Sequence, residues 1–440
     1  MKYEQATDYI QNLNRFGMKL GLEKVRRLLD LLGNPQNSFR SILIGGTSGK
    51  GSTTVMIGSV LKEAGYKTGV FTKPHLFDFR ERIAVNGKMI SEKDFVRLVG
   101  KIRPLAEKMK RDSEYPTFFE FVTAMAFEYF MEKRVDFAVL EVGLGGRLDA
   151  TNVVNPEVSV ITNVSLEHTE VLGDTVEKIT REKAGIIREN GILVTGSDNP
   201  KVLDVFEKIC AERKARFTKA AGLENPESSE SGNAFEFGGE KMFVHLAGRY
   251  QLRNISCALT ALGSLNEKIP VAAIKNGLER VKWPGRFEIV SEHPKVLLDG
   301  AKDAESMKKL MDSLDLIRYE KLFSVFGVSK DKLVPEMAKA ISAKTDFFIL
   351  TKHGVMGRGM EPKELAKEVK KCGKDFLIVN EVKNAVKKAI GIAGKDDLVL
   401  VTGSLFTVAE ARELWFRKKA GMGREFNENV EAATETKRQF

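Results

Sequence analysis

Short apolar runs alternate with segments of helical periodicity through the amino-terminal half of the chain. The apolar runs predict strands, and the segments between them predict helices such as Ser52–Ala64 and Phe119–Glu132. Alternation of this kind indicates βαβ units and a mostly parallel sheet. The strands predicted in this half are Ser41–Ile44, Phe137–Val142, Val158–Thr162 and Gly191–Val194.

A second alternation follows a break at Trp283-Pro284-Gly285 and predicts a second, smaller α/β domain. Before that break, Gly222–Asn233 is rich in Gly, Pro, Ser and acidic residues, so we expect an exposed loop there. We expect one domain over residues 1–290, a smaller one over 291–418, and a disordered polar tail over 419–440. The strands predicted in the second domain are Lys295–Asp299, Leu322–Phe326, Asp346–Leu350, Phe376–Val379 and Leu398–Val401, and its helices include Ala304–Leu316 and Pro362–Lys371.

Composition narrows the class of protein. The chain has 440 residues, which suits two or three domains, and its longest apolar runs are too short for a membrane span. The first residues, MKYEQATDYI, lack the apolar core of a signal peptide, and Cys210, Cys257 and Cys372 lie too far apart for a metal or disulfide motif. We therefore expect a cytoplasmic protein. The net charge of +10 either favours acidic partners or serves solubility, and no nucleic-acid motif accompanies it.

A glycine-rich segment, GGTSGKGST at 45–53, follows the first predicted strand and opens a helical pattern. Glycines let backbone amides approach a phosphate, and the helix directs its positive end toward the anion. Lys50 would neutralise the β- and γ-phosphates, and the Ser52 hydroxyl would bind Mg²⁺. Gly51 separates Lys50 from Ser52, which departs from the common spacing of such loops. The alternative to a phosphate-binding loop is a glycine-rich turn without a ligand. The residues expected to bind nucleotide here are Gly46, Thr47, Ser48, Gly49, Lys50, Gly51, Ser52 and Thr53.

Three further polar residues follow apolar segments. Glu141 ends a predicted strand before a glycine-rich turn, His168 follows the next strand, and Lys183 lies in the helical text REKAG. Ligand sites in open α/β sheets form at the carboxyl ends of strands, so Glu141 is placed to meet a metal held near Ser52. Each of the three, taken alone, is better explained as a structural or surface residue than as part of a site. Together with the glycine-rich segment they indicate a magnesium–nucleotide enzyme.

Taken together, these segments resemble the folylpolyglutamate synthase and dihydrofolate synthase family, a branch of the Mur ligase superfamily. The similarity runs from about Gly21 to Leu414. The resemblance implies an amino-terminal P-loop ATPase domain of Mur-ligase type that binds ATP and a pterin, and a Rossmann-like carboxyl-terminal glutamate-ligase domain. The matching text is GGTSGKGST at 45–53, PHLFDFRERI at 74–83, PTFFE at 116–120, LEVGLGGRLDATN at 140–152, LEHTEVLG at 166–173, REKAGII at 181–187, PGRFEIV at 284–290 and VTGSLFTVAEARE at 401–413.

The resemblance also implies the reaction: an ATP-dependent, ADP-forming ligase that adds L-glutamate to dihydropteroate, to reduced folates or to both, through an acyl-phosphate. Lys50, His168 and Lys183 would be catalytic. Ser52 and Glu141 would hold one Mg²⁺, while Glu141, His168 and a carbamylated Lys183 would hold a second. The carbamate turns a cation into an oxygen ligand, which explains a lysine beside a metal.

Other roles follow from the same resemblance. Asn254 and Arg286 would grip the ATP phosphates, and Asp299 would lie on the nucleotide side of the second domain. The implied partners are small molecules only, without nucleic acid or membrane, and the implied state is a monomer. The residues expected to bind the pterin substrate are Pro74, His75, Arg82, Thr117, Phe119, Asp149 and Ala150.

Two departures from the family pattern keep alternatives open. Lys73 replaces a serine before Pro74, where a cation either favours an acidic substrate or faces solvent. Lys302-Asp303-Ala304 replaces a His-Asn-Pro sequence in the second domain, which puts the nucleotide contacts in doubt. The alternatives are a Mur-type ligase acting on another pterin-like or carboxylate substrate, and a nucleotide-binding protein that has lost ligase activity.

Overall fold

The computed structural model describes residues 1–13, 21–111, 114–417 and 425–426, and the chain forms two compact units. Two short earlier segments belong to the second unit, so the chain passes between the units more than once. The first unit comprises Met1–Pro226, Ala234–His245 and Gln251–Lys282; the second comprises Glu227–Asn233, Leu246–Tyr250 and the chain from Trp283 onward.

Helices and strands alternate along both units. The helices are α1 (Tyr3–Asn12), α2 (Glu23–Leu31), α3 (Lys50–Glu63), α4 (Glu92–Arg111), α5 (Phe118–Glu132), α6 (Thr169–Leu172), α7 (Val176–Ala184), α8 (Pro200–Glu212), α9 (Gln251–Leu262), α10 (Val271–Glu279), α11 (Ala304–Ser313), α12 (Val334–Ser342), α13 (Pro362–Lys371), α14 (Val382–Ile392) and α15 (Leu405–Arg412). The strands are β1 (Arg40–Gly45), β2 (Thr68–Phe71), β3 (Ile83–Val85), β4 (Lys88–Met89), β5 (Phe137–Glu141), β6 (Val158–Ile161), β7 (Ile192–Thr195), β8 (Arg216–Lys219), β9 (Glu224–Ser229), β10 (Gly232–Phe237), β11 (Glu240–Val244), β12 (Glu288–Glu292), β13 (Lys295–Leu298), β14 (Leu322–Phe326), β15 (Phe347–Lys352), β16 (Asp375–Glu381), β17 (Leu398–Thr402), β18 (Phe416–Arg417) and β19 (Glu425–Phe426).

The first unit is built on an eight-stranded sheet in the order β4-β3-β2-β5-β1-β6-β7-β8. Strands β2 and β5 to β8 run parallel with β1, and β3 and β4 are antiparallel additions at one edge. The central strand β1 is an apolar run buried along nearly its whole length, as expected for a parallel strand covered on both faces. Ile44 pairs with Glu141 and Gly45 with Ile161, so the carboxyl ends of three strands meet at one edge.

The close packing of α10 on α3 depends on Gly277. A Cβ at this position would lie 2.5 Å from Val60 Cα, and the Gly277 carbonyl accepts a hydrogen bond of 2.7 Å from Ser59 Oγ. We expect Gly277→Ala to destabilise the protein by about 1–3 kcal/mol because the helices must separate. Gly100→Ala is the matched control: it lies on the exposed face of α4 with no heavy atom within 4 Å, so alanine should stabilise the protein slightly. The measurement is the urea midpoint of unfolding, monitored by circular dichroism. Equal midpoints for the two variants would contradict this account.

The second unit is built on a six-stranded sheet in the order β12-β13-β17-β14-β15-β16. All its neighbouring strands are parallel except the β12–β13 pair. Buried side chains from α11, α12 and α13 form one apolar layer, and those from α14 and α15 form a second. The predicted α/β fold with a Rossmann-like second part is confirmed.

The predicted strands agree with the structure to within about two residues at each end. The expectation of a loop at Gly222–Asn233 was wrong, because β9 and the start of β10 lie there in a three-stranded sheet of order β11-β10-β9. The strand β9 is polar and exposed, so its pairing rather than any apolar alternation defines it. Of the tail predicted over 419–440, only Glu425–Phe426 is described, as a strand paired with Phe416–Arg417; the rest lies outside the described residues. In the described part of the chain, no helix has the length and apolar character needed to cross a membrane.

A buried histidine follows β15 in the second unit. His353 is fully buried, its Nε2 lies 3.0 Å from Ser329 Oγ, and burial, together with the charge of Arg358, lowers its pKa from 6.5 to about 4. The unfolded chain therefore binds a proton here more readily than the folded protein does. Its contribution to stability is present above about pH 6.5 and is lost as the pH falls toward 4.

We expect His353→Gln to reduce the loss of stability between pH 7 and pH 4.5, whatever its effect at neutral pH. Both tryptophans, Trp283 and Trp415, belong to the second unit, so their fluorescence during urea unfolding reports on it. The control His245→Gln, at an exposed position of the first unit, should leave the pH dependence unchanged. If the free energy of unfolding changed with pH equally in the wild type and in His353→Gln, the role assigned to His353 would be contradicted.

Candidate active site

The loop that follows β1 turns at two glycines with left-handed backbone angles. Gly46 has φ of 131°, and a Cβ there would lie 2.0 Å from Thr162 Oγ1. Gly49 has φ of 82°, and a Cβ there would lie 2.1 Å from Asn254 Oδ1. Only glycine fits these positions, and α3 begins directly after them with its amides at the loop.

Two lysine ammonium groups lie against this loop. Lys50 Nζ donates hydrogen bonds of 2.8 Å to the carbonyl oxygens of Gly46 and Thr47. Lys183, which is buried, donates one of 2.9 Å to the same Gly46 oxygen. An ammonium group beside the amino-terminal end of a helix favours the binding of an anion such as a phosphate.

Residues after β6 support the loop, and the sequence did not single them out. Thr162 Oγ1 donates to the Ser48 carbonyl at 2.6 Å, and Asn163 Oδ1 accepts from the Ser48 amide at 2.9 Å. The Ser165 amide donates to Thr47 Oγ1 at 3.1 Å. The available signal was a run of polar residues directly after a buried strand, next to the text that contains His168.

Glu141 is placed beside the loop by the pairing of β5 with β1. The next residue, Val142, donates its amide to the Ile44 carbonyl at 2.9 Å, and Glu141 Oε2 accepts from the Lys73 amide at 2.9 Å. Ser52 is buried in the first turn of α3. A hydroxyl and a carboxylate are hard oxygen ligands of the kind Mg²⁺ prefers, so this pair suits a magnesium ion.

The other two predicted ligands differ in character. His168 has a left-handed backbone, with φ of 51°, and its Nε2 lies 3.5 Å from Glu167 Oε1. The Lys183 ammonium carries only donors, so it ligates a cation only after conversion to a carbamate. Among the described residues, no group of three or more His, Cys, Asp or Glu side chains forms a metal cluster.

A tightly bonded turn follows β2 and carries Pro74 and His75. Glu81 accepts hydrogen bonds from the amides of Leu76, Phe77 and Asp78 at 2.7–3.2 Å. Asp78 in turn accepts from Tyr3 Oη at 2.7 Å and from the Arg80 guanidinium. Burial alone would raise the pKa of Asp78, but the hydrogen bonds from Arg80 and Tyr3 lower it to about 2. The amino-terminal helix is thus joined to the predicted substrate loop.

Arg82 sets the orientation of His75. Its Nε donates to His75 Nδ1 at 2.9 Å, and its guanidinium lies over the rings of Phe79 and Phe118. Burial lowers the pKa of Arg82 to about 10, against the opposing charge of Glu141, so it stays protonated at neutral pH. Because arginine only donates, Nδ1 is the acceptor and a neutral His75 carries its proton on Nε2.

Of the predicted pterin residues, Phe119 and Asp149 both lie close to Gly143. Phe119 stacks on Phe71 with ring centroids 5.9 Å apart, and a Cβ on Gly143 would lie 2.5 Å from it. Asp149 accepts from the Leu144 amide at 2.8 Å and from Thr151 Oγ1 at 2.6 Å, directly before the buried Ala150.

Thr117 serves as the amino-terminal cap of α5. Its Oγ1 accepts from the Glu120 amide at 3.4 Å, while Glu120 Oε2 accepts from the Thr117 amide at 2.7 Å. This cap fixes where α5 begins and hence the direction of the Phe119 side chain.

In the second unit, Asp299 organises the turn that carries Arg286. The buried carboxylate accepts from Tyr250 Oη at 2.7 Å and from the amides of Phe287 and Ala301 at 2.9 and 2.8 Å. Burial raises the pKa of both Asp299 and Tyr250. These contacts make Asp299 a support for the turn, and Tyr250 is a partner that no sequence motif indicated.

The divergent Lys302-Asp303-Ala304 sequence starts α11 without a proline. Asp303 caps this helix, and its Oδ1 accepts from the Ser306 amide at 2.9 Å. A capping aspartate thus stands directly before the first residue of α11, and it provides a different start signal from a helix-starting proline.

Comparisons with known proteins identify the family of the chain. Residues 44–262 match the Mur ligase middle domain family, and residues 285–405 match the Mur ligase, glutamate ligase domain family. The dihydrofolate synthase/folylpolyglutamate synthase of Bacillus subtilis is 35% identical over 436 residues, covering 93% of this chain and 98% of that protein. A probable bifunctional folylpolyglutamate synthase/dihydropteroate synthase of Haloferax volcanii is 36% identical over 95% of this chain, which spans only 51% of that protein.

A solved structure of a folylpolyglutamate synthase is also similar to this chain. The Mycobacterium tuberculosis folylpolyglutamate synthase complexed with ADP superposes with a TM-score of 0.88 at 28% identity, covering 95% of this chain and all of that one. The family resemblance drawn from the motifs is therefore confirmed. The chain belongs to the dihydrofolate synthase/folylpolyglutamate synthase family of Mur ligases, which are ATP-dependent, ADP-forming glutamate ligases.

Proposed function

We propose that this protein joins the amino group of L-glutamate to a carboxylate of dihydropteroate, of reduced folates or of both. The observation that carries the proposal is the cluster at the carboxyl edge of the first sheet. There Lys50 and Lys183 both donate to Gly46, and Glu141 ends the neighbouring strand. Lys50 supplies a cation for phosphoryl transfer, and Glu141 supplies a carboxylate that can hold Mg²⁺.

In the first step, a carboxylate oxygen of the acceptor attacks the γ-phosphorus of ATP, and the bond to the β–γ bridging oxygen breaks. The products are an acyl-phosphate and ADP. The Lys50 ammonium, already at the mouth of the loop, donates to the oxygens that gain charge. Ser52 and Glu141 would hold Mg²⁺, which when bound neutralises charge on the phosphates.

In the second step, the neutral amino group of glutamate attacks the acyl carbon. An amide bond forms as the bond between the acyl carbon and the phosphate oxygen breaks, and the departing phosphate takes up the proton that the amine loses. Water must be excluded because an acyl-phosphate hydrolyses readily. The aromatic surroundings of Phe119 and Phe71 support this requirement on the acceptor side.

The proposal includes a second Mg²⁺ held by Glu141, His168 and a carbamylated Lys183. Its support is that Lys183 is buried beside Gly46 of the phosphate loop. A carbamate oxygen there could ligate a metal, whereas an ammonium group cannot. Crystals grown with Mg²⁺, bicarbonate and a non-hydrolysable ATP analogue should show extra density on Lys183 Nζ. Density that ends at Nζ would overturn the carbamate.

The proposal also includes the predicted nucleotide contacts of Asn254, Arg286 and Asp299. Asn254 lies against Gly49 of the phosphate loop, which supports a role at the ATP phosphates. Arg286 belongs to the turn that Asp299 holds, so we assign phosphate contact to Arg286 and support to Asp299. We also propose that the enzyme acts on small molecules as a cytoplasmic monomer, as the resemblance implies.

The test of the function is ATP- and glutamate-dependent phosphate release with dihydropteroate and tetrahydrofolate side by side. Release with dihydropteroate alone would make this a dihydrofolate synthase, and release with tetrahydrofolate alone would make it a chain-extending enzyme. Release with both would make it bifunctional. Release with neither would contradict the proposal.

A second candidate, a nucleotide-binding protein without ligase activity, is favoured only by Lys302-Asp303-Ala304, where side-chain chemistry departs from the family. ATP binding without phosphate release for any acceptor would support it. The capped start of α11 argues against it, since Asp303 still begins a well-formed helix at this position.

A further inference from the structure

The turn after β2, residues 73–78, carries two of the predicted pterin residues and lies close to the protein surface. All six of its residues are half-buried, whereas Thr72 before it and Phe79 after it are buried. Its first amide donates to Glu141 Oε2 at 2.9 Å, so the turn begins beside the predicted metal carboxylate. Because the turn contains no buried side chain of its own, its conformation depends strongly on hydrogen bonds.

Two sets of hydrogen bonds hold this turn. Within the same stretch of chain, Glu81 accepts from three consecutive amides of the turn at 2.7–3.2 Å. From outside it, Tyr3 Oη of α1 donates to Asp78 Oδ1 at 2.7 Å, across 75 positions of the chain. The first set is local and fixes the shape of the turn. The Tyr3 contact joins the turn to a separate helix and fixes where it lies relative to that helix.

The contact between Tyr3 and Asp78 is built to be strong. Burial and the hydrogen bond to Asp78 raise the pKa of Tyr3, so the hydroxyl keeps its proton and donates it. A hydrogen bond to an ionised carboxylate is about twice as strong as one between neutral groups. The tyrosine ring is itself held in place, since it packs edge-on against Phe95 at 5.2 Å and lies beneath the Arg80 guanidinium at 5.3 Å.

We propose that Tyr3 is a positioning residue for the acceptor substrate: its hydroxyl holds Asp78 and so keeps the turn at 73–78 in the conformation that binds the acceptor. This inference rests on the proposed function and adds to it a residue outside every motif. Without the hydroxyl, the turn spends less time in the binding conformation, and the apparent affinity for the acceptor falls in proportion. The phosphate loop, between β1 and α3, should keep its affinity for ATP.

The test is steady-state phosphate release by the wild type and by Tyr3→Phe, with the acceptor varied at saturating ATP and glutamate. It is run with each of dihydropteroate and tetrahydrofolate that supports release by the wild type. Phenylalanine keeps the ring contacts with Phe95 and Arg80 and removes the hydroxyl. We expect the KM for the acceptor to rise about tenfold, as for loss of a hydrogen bond to a charged group, with kcat within about twofold of wild type. The KM for ATP, measured at saturating acceptor, should be unchanged.

Thr7→Val is the matched control, because it removes a hydroxyl from the same helix. That hydroxyl donates to the carbonyl oxygens of Tyr3 and Glu4 within α1, at 3.1 and 2.8 Å. Its loss should leave both KM values unchanged. The double variant Tyr3→Phe/Asp78→Asn tests the route: if Tyr3 acts through Asp78, the acceptor KM should rise no further than in Asp78→Asn alone.

An unchanged acceptor KM in Tyr3→Phe would overturn the inference and leave the proposed function standing. So would equal increases in Tyr3→Phe and Thr7→Val, or a double variant in which the two single effects multiply. A loss of kcat and of ATP affinity alongside acceptor affinity would show general damage to the fold, and would also overturn it. No release by the wild type with either acceptor would overturn the proposed function, and this inference with it.

Discussion

Lys50→Ala should lower kcat by about a thousandfold or more, because it removes the cation closest to the transferring phosphoryl group. Lys50 Nζ is held by the Gly46 and Thr47 carbonyls at the mouth of the loop, so it needs no large movement to reach a phosphate oxygen. The measurement is ADP formation under saturating acceptor and glutamate. The circular dichroism spectrum should be unchanged, since the lysine side chain is not part of the buried apolar core.

Lys62→Ala is the control for a lysine on the same helix. Lys62 is exposed near the end of α3 and lies 3.2 Å from Glu63, so its loss should leave turnover within about twofold of wild type. Near-normal turnover of Lys50→Ala would contradict the assignment of the phosphate loop. Equal losses in both variants would point to damage to α3 rather than to lost charge.

Glu141→Gln should lower kcat by about a hundredfold and raise the Mg²⁺ concentration needed for half-maximal activity. The amide oxygen of glutamine can still accept from the Lys73 amide, so the turn after β2 keeps its anchor while the negative charge disappears. A metal ion loses most of its attraction to a neutral ligand. The measurement is turnover across a Mg²⁺ titration at saturating ATP.

Glu157→Gln provides the comparison, because Glu157 pairs with Arg40 at the other end of β1. This substitution should leave the Mg²⁺ dependence unchanged. An unaltered Mg²⁺ requirement in Glu141→Gln would remove Glu141 from the metal site. A large loss of activity with that requirement unchanged would assign it instead to anchoring Lys73.

The glycine-rich loop is the part of the site that the sequence predicted best. An apolar strand, GGTSGKGST and a helical pattern are contiguous, and the structure has β1 ending at Gly45 and α3 beginning at Lys50. By contrast, β2 was not among the predicted strands, although it carries the turn with Lys73 and His75. It has four residues, and one of them, Gly69, packs against Phe130 of α5 so closely that a Cβ would lie 2.8 Å from the ring. β2 is a strand because it pairs with the neighbouring strands β3 and β5.

The hydrogen bonds that support the site could not be predicted from the sequence either. Tyr3 bonds to Asp78, and Tyr250 to Asp299, across 75 and 49 positions of the chain. Neither tyrosine belongs to a motif, and each becomes informative only when the carboxylate it contacts is known. The hairpin of β9 and β10 was missed for a related reason: its first strand is polar, and pairing alone defines it.

By itself, the sequence determined the α/β class, the parallel character of both sheets and the family, because periodicity and contiguous motifs are local properties of the chain. It also determined which residue types are available for phosphate and metal binding. Only the tertiary structure decided that Lys183 reaches Gly46, 137 positions away, and that Lys73 lies between Glu141 and Phe119. Those contacts follow from the strand order β2-β5-β1-β6, which is set by the packing of whole strands and helices rather than by any local pattern.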